Sequence, residues 1–164
     1  QKLQTQNPNV KNRLFGIKDK YFPDFQSINP PGKASNCKTA PNCPGINDLG
    51  WYVELDKSKK VTAEPTVDKN LVYFPVYEPK AAANICDSGD AILYSVHSTC
   101  GNAIQKKLGK GVLSKVIMQD GNLILGISGE AEKGINSKDN IISIKSTQKS
   151  SNQIITKESW KENF

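Results

Sequence analysis

His97 is the only histidine in the 164 residues, so a serine-type nucleophile relay would have to be built around it. It stands in YSVHS, alternating with Val96, and reads as a plain strand histidine on the opposite face. Glu54 with Asp56, or Glu130 with Glu132, could be imagined as the carboxylate pair of a glycoside hydrolase. Both pairs fall at strand ends and turns, where a solvated edge is the default. LGKGVLSK holds glycines and lysines without the G-x-x-x-x-G-K-(S/T) spacing that wraps phosphates, so it reads as a turn before a strand. Trp51 and Trp160 could stack against a sugar, but packing between sheets is the plainer role. The sequence therefore predicts no catalytic residue, no cofactor-binding residue, no metal ligand and no enzyme.

Cysteine carries the clearest chemistry. Cys37 and Cys43 bracket CKTAPNC, and Cys86 and Cys100 bracket the 15-residue CDSGDAILYSVHSTC. Neither pair has the C-x-x-C grammar of a metal site, and His97 is not beside them. Two disulfides between nearest neighbours are expected. The chain-entropy model gives about 3 kcal/mol for closing a loop of roughly 15 residues. Disulfides place the chain in an oxidising compartment: periplasm, outer surface or medium.

Length suits one domain or part of a larger one, with enough chain to bury a core. Net charge is +6, from 22 basic and 16 acidic residues. The charge is mostly lysine scattered through turns and strand ends, as in DKSKK and IQKKLGKG, and Arg13 is the only arginine. A nucleic-acid reader clusters arginines with exposed aromatics, so no nucleic-acid partner is expected. The longest apolar runs, AILYSV and LILGI, fall far short of the roughly 18 residues of a membrane span.

Strand signals dominate the chain that must position these groups. NRLFGIK (12–18), WYVEL (51–55), LVYFPVY (71–77) and AILYSVH (91–97) are short and rich in β-branched and aromatic residues. VLSKVIM (112–118), LILGIS (123–128), IISIKS (141–146) and QIITKESW (153–160) follow, with turn formers such as Asp68-Lys69-Asn70, Ser88-Gly89 and Asp120-Gly121 between strands. NAIQKKL (102–108) is the only helix candidate, short and poorly patterned. Pro75 would delete a ladder donor, which predicts a bulge or an edge position, and Tyr73, Phe74 and Tyr77 around it form the expected interaction patch.

A repeat emerges when segments are overlaid. Val61 falls on Val112 and Thr66 on Ile117, each 51 residues apart, and Leu71 falls on Leu123, 52 apart. Downstream, DAILYSVHST falls on DNIISIKST, 49 apart at the aspartates. The unit is a hairpin, a variable loop, a third strand and a fourth. A four-stranded unit of 40 to 50 residues is the grammar of a β-propeller blade, which relies on neighbours to bury its faces. The expected architecture is all-β: a partial β-propeller-like stack of about two to three four-stranded antiparallel blades, disulfide-braced. A sandwich of some eight strands is the other reading. As one domain over 1–164, it divides into a partial blade and long Cys/Pro loop (1–49) and two blade-like repeats (50–110 and 111–164).

GWYVELDKSKKVTAEPTV, NICDSGDAILYSVHSTCG, GKGVLSKVIMQDGNLILGISG and the closing ESWKENF occur in this order. Together they resemble the C-terminal part of PilY-type (PilY/PilC) type IV pilus biogenesis and tip-adhesin proteins, over roughly residues 50 to 164. The resemblance implies a modified propeller at the carboxyl end of a longer, exported protein. It implies a non-enzymatic role in pilus assembly and surface adhesion. The implied partners are pilins or minor pilins, the upstream part of the same protein or a completing chain, and a host or mineral surface. The family's alternating acidic calcium loop is not evident: Asp87-Ser88-Gly89-Asp90 and Asp139-Asn140 do not alternate properly, so calcium is not expected. His97 stands where the family usually has aspartate. The alternatives are a quinoprotein-dehydrogenase-like propeller fragment, for which the chain is far too short to close a ring, or a structural subunit of an extracellular filament.

Overall fold

The structure, a computed structural model, describes residues 7–17, 34–37, 44, 48–80, 88–99 and 103–146. Within them the chain is all-β, in three sheets. The first sheet has strand order β1 (Asn12–Ile17), β3 (Gly50–Leu55), β2 (Ala34–Asn36). The central sheet sets β4 (Lys60–Val61) and β5 (Thr66–Asp68) against one edge of β6 (Leu71–Glu78), then β7 (Asp90–His97) and β8 (Ile104–Lys110). The third runs β11 (Ser137–Lys138), β12 (Ile141–Lys145), β10 (Asn122–Gly126), β9 (Ile117–Gln119). All pairings are antiparallel except β2 with β3.

Turn chemistry sets the registers. Asp120-Gly121 and Asp139-Asn140 both place two consecutive residues at positive φ. They join Gln119 to Asn122 and Lys138 to Ile141 by two-residue loops whose twist matches the strands. The expected hairpins at 66–78 and 117–126 form with equivalent pairing, Thr66 opposite Tyr73 and Ile117 opposite Ile124, so Leu71 corresponds to Asn122 rather than to Leu123.

Packing explains why the central strands read as unbroken apolar runs. Val72, Phe74, Val76, Ile92, Tyr94 and Val96 face Trp51, Val53 and Leu55 of the first sheet. On the opposite face Tyr73, Ala91, Leu93 and Leu108 pack against Leu123, Leu125, Ile127 and Ile142 of the third. A sheet covered on both sides has no reason to alternate polar with apolar. Polar contacts follow the repeat: the Thr62 hydroxyl donates to the Leu113 carbonyl at 3.2 Å, Lys115 Nζ meets Glu64 at 2.7 Å, and Thr66 donates to Val116 at 2.6 Å. These partners lie 51, 51 and 50 residues apart, so equivalent points of successive units touch.

Four local expectations are corrected. NAIQKKL is not a helix, because its residues from Ile104 onward form strand β8, with Leu108 as an extra residue in a bulge opposite Ala91 and Ile92. VLSKVIM pairs as a strand only from Ile117, although Leu113 makes an isolated bridge to Ile127. The 19–49 loop contains a short strand, β2. Pro75 lies in an inner strand rather than at an edge. Its carbonyl accepts from Thr62 N on the side away from β7, where the outer strand breaks between β4 and β5, so its missing N–H faces the interruption. QIITKESW lies outside the described residues.

Candidate interaction surfaces

Tyr73, Phe74 and Tyr77 do not form an exposed patch; they are 1%, 0% and 6% accessible. Alternation sends Phe74 toward the first sheet, where its ring stacks on Tyr94 at 5.2 Å. Tyr73 and Tyr77 take the opposite face, and their hydroxyls bond to Ser146 Oγ and the Gly89 N–H. A buried phenol with a satisfied hydroxyl is core, not docking surface.

Exposed apolar residues lie instead at the ends of the stack and on the outer strands of the central sheet, where Val67 and Ile104 are exposed. On β1, Leu14 turns inward, while Arg13, Phe15 and Ile17 turn outward, Phe15 being 52% and Ile17 77% accessible. Opposite them on β3, Tyr52 meets Phe15 with ring centroids 5.6 Å apart, and the Arg13 guanidinium lies 4.9 Å over the Tyr52 ring. Lys11 and Arg13 both reach Glu54, at 3.0 and 3.3 Å. The Lys11 hydrogen bond, with Arg13 beside it, holds the Glu54 carboxyl below its ordinary range. Sequence reading located both strands but not their exposure; the signal was the Arg-x-Phe-x-Ile alternation of NRLFGIK. At the other end, Ile117 and Ile141 are exposed on the outward face of the third sheet, with Ile124 half-buried between.

Two clefts separate the sheets. An open one of about 490 Å³ is lined by Asn12, Arg13, Leu55, Lys60, Val61, Thr62 and Val112, and so gathers the equivalent valines 61 and 112. A narrower one of about 260 Å³ includes Glu54, Asp56, Lys59, Tyr94 and Gln105. Its Lys59 Nζ contacts Tyr94 Oη and Glu78, each at 3.3 Å. Burial disfavours the Lys59 ammonium, but Tyr94 and Glu78 outweigh it and raise the pKa. Burial likewise lifts the Tyr94 phenol, against the pull of Lys59. With both values raised, this is a lysine ammonium between a phenol and Glu78, a structural brace.

Trp51 is buried between the first two sheets and donates its Nε1–H to the Ser98 carbonyl at 2.7 Å. His97 Nδ1 meets Thr99 Oγ1 at 2.8 Å, at the end of β7. Glu54 and Asp56 line one cleft beside Lys59, while Glu130 and Glu132 lie in the 127–136 connection, with Glu132 3.6 Å from Lys107. Asp90, from the weighed acidic loop, pairs with Lys110 and, at 3.5 Å, with Lys107. Among the described residues no cluster of three metal-ligating side chains occurs. No helix there is long and apolar enough to cross a membrane. Cys37 is buried beside Trp51 and Val53, while Cys43, Cys86, Cys100, Asp87 and Trp160 lie outside the described residues. Comparison with known protein families, characterised proteins and solved structures returns no match.

Proposed function

We propose that this chain is a non-enzymatic, extracytoplasmic interaction module of type IV pilus assembly and surface adhesion, built as a partial propeller-like stack. The observation that carries a binding role is the exposure of apolar residues at both ends, against the covered inner strands β6 and β7 of the central sheet, whose outer strands also expose Val67 and Ile104. Phe15 and Ile17 stand at one end, Ile117 and Ile141 at the other. A stack that leaves such residues exposed is suited to meeting further polypeptide. The pilus assignment rests on the sequence resemblance and its order of motifs. The propeller-like reading is supported by the 51-residue spacing of contacts between successive units. Periplasm, outer surface or pilus is the compartment in this reading, and disulfide bracing is part of it. Pairing of Cys37 with Cys43 and of Cys86 with Cys100 stays within the proposal. Pilins or minor pilins, the rest of a longer protein, and a host or mineral surface are the partners it would meet.

Deleting the gene in its source organism, counting pili by electron microscopy and measuring surface attachment tests the role. Loss of either, restored by the wild-type gene and not by a Phe15→Asp/Ile17→Asp double variant that accumulates normally, is expected. Unchanged piliation and attachment in the deletion strain refute the pilus assignment.

A further inference from the structure

Sheet edges attract other strands unless something blunts them, and natural proteins use shortness, lysine, proline and bulges for this. Among the described residues five of the six sheet edges carry such devices. β2 and β9 span three residues each, and β11 spans two, one of them Lys138. The β4/β5 edge is broken into two- and three-residue pieces. β8 carries Lys106, Lys107 and Lys110 together with a bulge. β1 carries none: it pairs regularly with β3 over six residues, without proline or bulge, and exposes Phe15 and Ile17.

Hydrogen-bond parity shows which groups point outward. The Tyr52 carbonyl accepts from Cys37 N, on the β2 side of β3, so Tyr52 turns its main-chain groups away from β1. Its cross-strand partner Phe15 is therefore in a non-hydrogen-bonded pair, and the N–H and C=O of Phe15 point to the open side of β1. Arg13 and Ile17 share that parity, and Val10, of opposite parity, accepts from Ser58 N on the β3 side. Three donors and three acceptors thus line this edge with no strand against them among the described residues.

The other units show what belongs there. β7 and β12 are the third strands of their units, and each pairs antiparallel with the second strand of the hairpin before it, β6 or β10, although β12 is also paired with the short β11. β1 with β3 is an antiparallel pair like β7 with β8, and each is tied by a further main-chain bond beyond its end, Ser58 N to Val10 O in one and Gly111 N to Gly89 O in the other. We propose that the open edge of β1 receives one further antiparallel strand, the second of a hairpin built like β5–β6 and β9–β10. It is supplied by sequence preceding β1 in a longer polypeptide. Residues 7–11 cannot be that strand, because Asn7 to Val10 form a turn anchored on Ser58. A second copy of the chain cannot supply such a hairpin from β6 or β10, which are already paired on both sides, and edge-to-edge pairing of two β1 strands is separated by its dependence on chain concentration. Lys11 and Arg13, which both reach Glu54, favour an acidic flank on the incoming hairpin. This inference deepens the proposed function, but its test is independent of piliation.

The probe is a synthetic peptide of residues 64–79, EPTVDKNLVYFPVYEP, which carries the hairpin of the central unit and acidic flanks. Amide hydrogen exchange of the 164-residue chain is followed by NMR with and without it. Without peptide, the Arg13, Phe15 and Ile17 amides exchange fast while those of Leu14 and Gly16, bonded to β3, are slow. Saturating peptide slows all three edge amides by about tenfold or more. Phe15→Pro abolishes that effect, as proline there removes only an outward N–H, and slow exchange at Leu14 and Gly16 reports that the strand pair persists. Ile17→Pro, at the strand end, is the second variant should the first unfold. No slowing with peptide, slowing that survives both proline variants, or edge amides already slow in the chain alone or at high chain concentration overturns the proposal.

Discussion

Replacing Phe74 with alanine tests whether the sheets depend on one another for burial. Phe74 is fully buried between the first and central sheets, and its ring stacks on Tyr94 at 5.2 Å and 29°. Core Phe→Ala changes cost about 3–5 kcal/mol, and the lost aromatic pair places this site in the upper half of that range. For a chain of this length that corresponds to a fall in Tm of roughly 10–15 °C. Phe15→Ala is the internal control: the same atoms are removed from a side chain 52% accessible, so the cost stays below about 1 kcal/mol. Urea unfolding should be followed by Trp fluorescence and far-UV circular dichroism, since Trp51 lies at the interface in question. Coincident transitions with a large Phe74 effect and a small Phe15 effect are expected. Equal costs for the two substitutions refute the stacked-sheet account, because they would mean that the face of the central sheet toward Trp51 is not a shared core.

Other substitutions probe separate links. At Gly16 an added Cβ would lie 2.3 Å from Trp51 Cε2, so Gly16→Ala should cost about 1–3 kcal/mol in urea unfolding and shift Trp51 emission. Trp51→Phe keeps most of the apolar volume but strands the Ser98 carbonyl, and about 1–3 kcal/mol is expected in the same assay. Burial opposes the charge on Asp90, yet Lys110 and Lys107 outweigh it and lower its pKa from the ordinary 3.8. A carboxyl lowered on folding contributes stability that is complete above its unfolded value and lost as pH falls through the folded one. Melting temperature should therefore drop below about pH 4 more steeply in the wild type than in Asp90→Asn. Lys115→Ala, whose ion pair with Glu64 is exposed, should leave Tm unchanged at physiological salt.

The strands with strong β signals were legible because their residues are apolar, β-branched or aromatic for local and global reasons alike. LVYFPVY, AILYSVH and WYVEL all form as read. The hairpins were legible from Asp120-Gly121 and Asp68-Lys69-Asn70, where two residues alone close the chain. IQKKLGK was not, because four exposed residues of an edge strand carry lysines and glutamine that favour helix as readily as strand. The interaction patch was misplaced for a related reason. Aromatics around Pro75 suggest an edge, but the proline is accommodated by a break in the neighbouring strand, a long-range fact that one segment cannot encode. Exposure of Phe15 and Ile17 is likewise a property of what lies beside β1, and neither residue type announces it.

The same distinction bears on how the units share stability. The central unit has both faces covered, so its strands contribute to two cores at once: Phe74 to one, Tyr73 and Leu93 to the other. Each end unit contributes to a single core and keeps one face outward. Solenoid-like stacks draw their stability from such nearest-neighbour interfaces, and their ends require either polar caps or further units. Here the caps are incomplete: Lys11, Arg13 and Glu54 surround Phe15 at one end, while Ile117 and Ile141 remain exposed at the other. Covering the first end should therefore raise stability at Leu14 and Gly16 first, and at the central sheet only through Trp51, Val53 and Leu55. Amide protection that rose uniformly across all three sheets would instead mean that the stack unfolds as one cooperative body, with no weaker end unit.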